Sequence, residues 1–237
     1  MSTTTPGPAG RDPATGLRAG PLSRRRAATC ADAAAGVGTT SGLALGLMFA
    51  IEVPTDGPFV FGATNDVLGA AFNLLVIPVY AELGSELPPG RTRDVLLPAA
   101  IGAGAVGAAS GTLLVARVLP FAPSTALSTA AIAVQAVWML VSNDRLLRRP
   151  DFPRRLGRLG RVIGAAQLLG GAVVGAGLAL PRGSLGRRAA FVVGGLPGVA
   201  AWALWPAWFY LAARYLDQPA PAEVPAGGDR PGSAGER

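Results

Sequence analysis

Ala33 to Ile51 runs through 19 residues without a charge, about 28 Å of helix at roughly 1.5 Å per residue and close to the roughly 30 Å hydrocarbon thickness of a bilayer. Five further apolar stretches follow it. A chain built this way has few options, because in lipid every backbone N–H and C=O must be satisfied within the spanning structure, and a segment of this length meets that demand as a helix. The spacing predicts an all-α membrane protein with six transmembrane helices at about 33–51, 66–83, 95–117, 126–142, 162–180 and 189–213. Half of the residues are hydrophobic and 15% are charged, too apolar a balance for an ordinary soluble domain. Residues 1–28, rich in Thr, Pro, Gly, Ala and Arg, read as a disordered basic tail, and 217–237 read as a second disordered tail. The transmembrane domain then occupies 29–216. The first apolar run is too long for a signal-peptide core, so a retained helix is expected.

Orientation follows from arginine. All 21 basic residues are arginine, and seven fall in the interval 143–161: Arg145, Arg148, Arg149, Arg154, Arg155, Arg158 and Arg161. Basic loops stay in the cytoplasm. With that loop inside, alternation puts both termini inside and assigns 17 of the 21 arginines to the inner side. The loop holding Arg182, Arg187 and Arg188 opposes the rule locally and is outnumbered. The same seven arginines are candidates for contact with anionic headgroups on the cytoplasmic side or with a protein partner of unknown identity. Leu146, Leu147, Phe152, Leu156 and Leu159 suggest that part of the interval lies flat on the membrane.

A net charge of +7 and a pI near 11.1 would suggest nucleic-acid binding in a soluble protein. Here the arginines flank apolar segments, and no basic face interleaved with aromatics accompanies them, so no nucleic-acid partner is expected. The absence of histidine excludes a Ser-His-Asp triad, His–zinc sites and histidine-ligated haem, and the single Cys30 excludes CxxC sites and an intrachain disulfide. No cofactor, no metal and no enzymatic activity are expected.

The polar residues inside the apolar stretches are few. Asp66 and Asn73 stand seven residues apart, on one helix face. If Thr64 or Asn65 caps the second helix, Asp66 sits in its first turn, where the dipole favours a carboxylate. If the helix begins near Phe59, Asp66 lies about two turns deep and is a functional candidate. The Thr64-Asn65-Asp66 run favours the cap. Gln135 and Gln167 fall near the middle of the fourth and fifth helices, and the four side chains together make a candidate polar pathway, although side chains of this kind more commonly hydrogen-bond a neighbouring helix. Gly38, Gly42 and Gly46, then Gly107 and Gly111, then Gly171 and Gly175, recur at four-residue spacing and read as helix-packing positions. Pro197 and Pro206 predict a kink or break in the sixth helix, a candidate hinge. Trp202, Trp205, Trp208, Tyr210 and Tyr215 read as an aromatic belt at the inner interface.

The segments Asp66–Tyr80 (DVLGAAFNLLVIPVY), Phe152–Gly164 (FPRRLGRLGRVIG) and Pro206–Leu216 (PAWFYLAARYL) resemble a family of bacterial six-helix integral membrane proteins known only as a domain of unknown function. The resemblance implies a multi-pass protein of the bacterial cytoplasmic membrane and carries no activity. Two more specific expectations remain open. One is a small-molecule or ion transporter or channel, with Asp66, Asn73, Gln135 and Gln167 converging on a polar cavity. The other is a membrane scaffold or partner subunit that docks through the basic loop 143–161.

Overall fold

A computed structural model describes residues 21–181 and 183–218. Most of both expected tails lies outside the described residues. Six helices are long and apolar enough to cross a membrane, and no strand occurs among the described residues. We number them α1 (Pro21–Leu47, continued by a π-helical turn Met48–Glu52 and the short segment Val53–Thr55), α2 (Val60–Ser85), α3 (Leu97–Val115, entered through a π-helical turn Thr92–Leu96), α4 (Phe121–Leu146), α5 (Arg154–Leu178) and α6 (Leu185–Leu216).

Most of these helices outrun the expected bounds. The first begins at Pro21, inside the segment 1–28 expected to be disordered, and the fifth begins at Arg154 rather than at 162. A hydropathy reading stops at the first charge, whereas an arginine at a helix end keeps its stem on apolar surface and its guanidinium in water. The sixth helix contains both prolines without interruption from Leu185 to Leu216, so no break occurs there. Each proline removes one backbone hydrogen bond, and the turns on either side keep the helix continuous.

Each helix packs on its sequence neighbours, and α6 packs back on α1, closing a ring. The ring has two unlike halves. We call basal the end that holds the start of α1, the links 86–96 and 147–153 and the end of α6, and apical the opposite end. The largest fully buried side chains, among them Tyr80, Trp138, Phe152, Trp205, Trp208 and Phe209, all belong to the basal half. Phe72 meets Trp205 and Phe209 edge-on with centroids 5.3 and 5.2 Å apart, and Trp208 meets Phe209 at 4.9 Å. These are favourable quadrupolar contacts, and they fill the ring axis with rigid side chains. Trp205 and Trp208 are only 1% exposed, so they belong to this core and not to an interfacial belt; of the expected belt, Tyr210 is the exposed member, at 46%. The 3.6-residue turn sets Trp205, Trp208 and Phe209 on the inward face and Tyr210 on the outward one.

Candidate functional site

The apical half is less filled and contains a cavity whose lining mixes apolar side chains with an acid, amides and hydroxyls. Its construction begins at Glu52, which is 3% exposed and whose carboxylate accepts from the backbone N–H groups of Phe61 at 2.9 Å and Gly62 at 3.1 Å. A carboxylate on the first N–H groups of a helix satisfies donors that have no intrahelical partner and suits the positive end of the dipole. The cap of α2 is therefore supplied by the preceding helix. Neither Thr64 nor Asn65 performs it: Thr64 donates to the Val60 carbonyl at 2.8 Å, and the Asn65 side chain accepts from Ser41 at 2.8 Å. The expected placement of Asp66 in the first turn is overturned. Asp66 stands nearly two turns inside α2, half-buried.

Asp66 and Asn73 line one cavity of about 240 Å³, together with Gly107 and Gly111 of α3, Ser124 and Ser128 of α4 and Trp202 of α6. Helices that are not neighbours in the ring contribute to it, so it lies on the ring axis. Ser110, Ser124 and Ser128 form a hydroxyl cluster on one side, with Ser110 and Ser124 oxygens 2.9 Å apart and Ser128 donating to Ser110 at 3.3 Å. The inner end is an amide chain. Asn73 Nδ2 donates to the Gly69 carbonyl at 2.9 Å, Gln135 Nε2 donates to Asn73 Oδ1 at 2.9 Å, and Tyr80 Oη donates to Gln135 Oε1 at 3.2 Å. Gln135 is wholly buried. The chain crosses from α2 to α4 over α3, which is possible because position 107 is glycine; a Cβ there would stand 2.7 Å from Asn73 Oδ1.

Three of the four expected pathway residues are thus brought together. Gln167 is not among them. It is 8% exposed, and neither Nε2 nor Oε1 has a hydrogen-bond partner, so it joins neither Asn73 nor Gln135. Among the described residues no three His, Cys, Asp or Glu side chains converge in a way that would hold a metal ion.

The glycines divide. An added Cβ would stand 3.1 Å from Phe72 at Gly38 and 3.2 Å from Ala70 at Gly111, so these two and Gly107 sit at close helix contacts. Gly42, Gly46, Gly171 and Gly175 have nothing within 4 Å, and their expected packing role is corrected. Four-residue spacing puts glycines on one face but does not say that a helix of the same chain covers that face. Gly42 and Gly46 instead border an apolar groove of about 510 Å³ between α1 and α6. The sequence reading missed Gly157, Gly160 and Gly164, where a Cβ would meet Leu147, Asn143 and the Ala136 carbonyl at 2.5, 2.3 and 2.6 Å. Their spacing of three and four is the helical signal, hidden among the arginines.

The arginine interval also divides. It is the end of α4, a turn, and the first two turns of α5. Leu146, Phe152 and Leu156 are 1%, 2% and 1% exposed and pack in the core, so the expected surface-lying segment is absent. Arg149 points inward to Glu86, with Nη1 3.1 Å from Oε2, and pairs with Asp151; it is not free to contact headgroups. Arg145, Arg148, Arg154, Arg155, Arg158 and Arg161 are exposed. Among these, Arg148 and Arg161 reach Asp144 at 3.2 and 3.3 Å. The Arg149 guanidinium holds the Asp151 carboxyl below the usual carboxylate range.

No protein-family model, curated protein or solved structure matches the chain.

Proposed function

We propose that the protein is a six-span integral protein of a bacterial cytoplasmic membrane, with the basal end and both termini inside, that admits a small polar solute or ion to its apical cavity and passes it across. The orientation is supported by arginine. Among the described residues Arg117, Arg187 and Arg188 are apical, whereas Arg24, Arg25, Arg26, Arg91, Arg93, Arg214 and the seven of the interval 143–161 are basal. That asymmetry favours the basal end for the cytoplasm. The exposed arginines then stand at the level of anionic inner-leaflet headgroups.

One observation carries the transport reading: the cavity lined by Asp66 and Asn73 ends on a chain of hydrogen bonds that links Asn73 to Gln135 and Gln135 to Tyr80. Ionisable and amide side chains at membrane depth are costly, and where they face a cavity they mark solute or ion paths. A non-enzymatic role fits the same lining, in which Asp66 is the sole titratable side chain and has no second acid or base beside it.

The test is flux in proteoliposomes for four solute classes: alkali and ammonium cations, small anions, neutral amides and polyols. At least one class is expected to cross faster than in empty vesicles, and Asn73→Leu is expected to abolish that excess. If no class crosses, the transport reading falls, and the scaffold reading, in which the exposed basal arginines dock on a partner or lipid, takes its place.

A further inference from the structure

We infer that the ligand of the apical cavity is a small monovalent cation, an alkali ion or a primary ammonium, held by Asp66; this rests on the transport reading above and gives its substrate class. The carboxylates nearest the helix bundle differ in their partners. Glu86 is met by Arg24 and Arg149 at 2.6 and 3.1 Å, Asp144 by Arg148 and Arg161, and Asp151 by Arg149. Glu52 holds two backbone N–H groups. Glu82, which like Asp66 lies on α2 and has no ion pair within 4 Å among the described residues, accepts from the Ser23 hydroxyl at 3.0 Å and does not line the apical cavity. Asp66 is different. It is half-buried within a helix long and apolar enough to cross a membrane, it lines a cavity, and no cation among the described residues pairs with it. No arginine lines that cavity.

Burial at such depth makes a carboxylate anion costly and favours a positive partner, and the cavity leaves room for one. Its volume of about 240 Å³ corresponds to roughly eight waters at about 30 Å³ each, enough for an alkali ion with part of its hydration shell or for methylammonium. The rest of the polar lining supplies oxygen. Ser124, Thr125, Ser128, Thr129 and Asn73 line the same space, and hard cations prefer carboxylate, hydroxyl and carbonyl oxygen. An anion would meet the Asp66 charge as a repulsion. A neutral solute could replace the displaced water's hydrogen bonds to that carboxylate but would bring no opposing charge.

The experiment uses the full chain in lipid nanodiscs. Binding of sodium, methylammonium and the neutral solute N-methylurea is measured by calorimetry at constant ionic strength, for the natural sequence and for Asp66→Asn. Helix content and monodispersity establish that the variant folds. The natural protein is expected to bind sodium or methylammonium saturably and N-methylurea not at all, and Asp66→Asn is expected to weaken cation binding at least tenfold. Cation binding that survives Asp66→Asn overturns the inference. So does binding of N-methylurea equal to that of methylammonium, a comparison that needs no variant. In that second case flux of neutral solutes would leave the transport reading standing, whereas failure of all flux sinks both.

Discussion

Arg24 Nη1 lies 2.6 Å from Glu86 Oε1, with the two side chains only 13% and 11% exposed, so the first described turns of the chain are tied to the residue that follows α2. The tie is part of a clamp. Tyr215 Oη donates to Glu86 Oε2 at 2.7 Å, Arg149 reaches the same oxygen at 3.1 Å, and the Arg24 guanidinium lies over the Tyr215 ring at 4.8 Å. One carboxylate thus joins α1, α2, the turn after α4 and the end of α6. Breaking a buried pair leaves an uncompensated charge, which costs about 3–5 kcal/mol when fully buried and less beside water. Glu86→Gln is expected to lower stability by about 2–4 kcal/mol, read as a fall in the thermal midpoint in detergent. A midpoint equal to that of the unaltered protein would show that the clamp contributes nothing.

Asp151 predicts a pH effect of known sign. Its folded-state pKa is depressed by the hydrogen bonds from Arg149, of which Nε to Oδ1 measures 3.1 Å. A depressed acid contributes stability that is fully present above the unfolded value, about 3.9 for aspartate, and is lost as pH falls through the lower folded value. The side chain is 40% exposed, so the pair is worth about 0–1 kcal/mol. Asp151→Asn is therefore expected to be nearly neutral in effect at pH 7, with the small difference from the parent shrinking only below about pH 4. A difference that instead grew as the pH fell would contradict the assigned sign.

Six membrane-length helices were legible because backbone satisfaction in lipid leaves one solution for a long apolar run. Their ends were not, since Arg24 and Arg154 read as tail and loop by charge alone. The candidate pathway was legible in kind: an acid and amides inside apolar helices are rare enough to notice. Its membership depended on what composition cannot carry. Glu52 caps a helix ten residues away in sequence and so drives Asp66 inward, and Gly107 lets Asn73 reach Gln135. The rotation of α5 leaves Gln167 apart. Among the arginines, only tertiary contact separates Arg149, turned to Glu86, from its exposed neighbours.

The amide chain predicts coupling. Asn73 and Gln135 meet at 2.9 Å, with Asn73 at the inner end of the cavity and Gln135 wholly buried. Interhelical side-chain hydrogen bonds in membranes contribute about 0.6 kcal/mol on average and up to about 1.7 kcal/mol. A double-mutant cycle on Asn73→Leu and Gln135→Leu, followed by denaturant unfolding in micelles, is expected to give a coupling within that range. Purely additive effects would mean that the two amides act independently.

Two glycines on the same helix should respond oppositely to one methyl group. At Gly164 a Cβ would stand 2.6 Å from both the Ala136 carbonyl oxygen and the Leu140 nitrogen, which are backbone atoms of α4 and cannot turn aside. Gly164→Ala must push α4 and α5 apart, at a cost of about 1–3 kcal/mol by analogy with other overpacked sites. Two turns further on, Gly171 has nothing within 4 Å. There alanine removes backbone entropy from the unfolded chain and clashes with nothing, a change worth up to about 1 kcal/mol in favour of the helix. The thermal midpoint in detergent should therefore fall for Gly164→Ala and hold or rise for Gly171→Ala. A fall of equal size at both positions would mean that the exposed face of α5 is covered in the working protein, and would direct attention to a second molecule packed against Gly171 and Gly175.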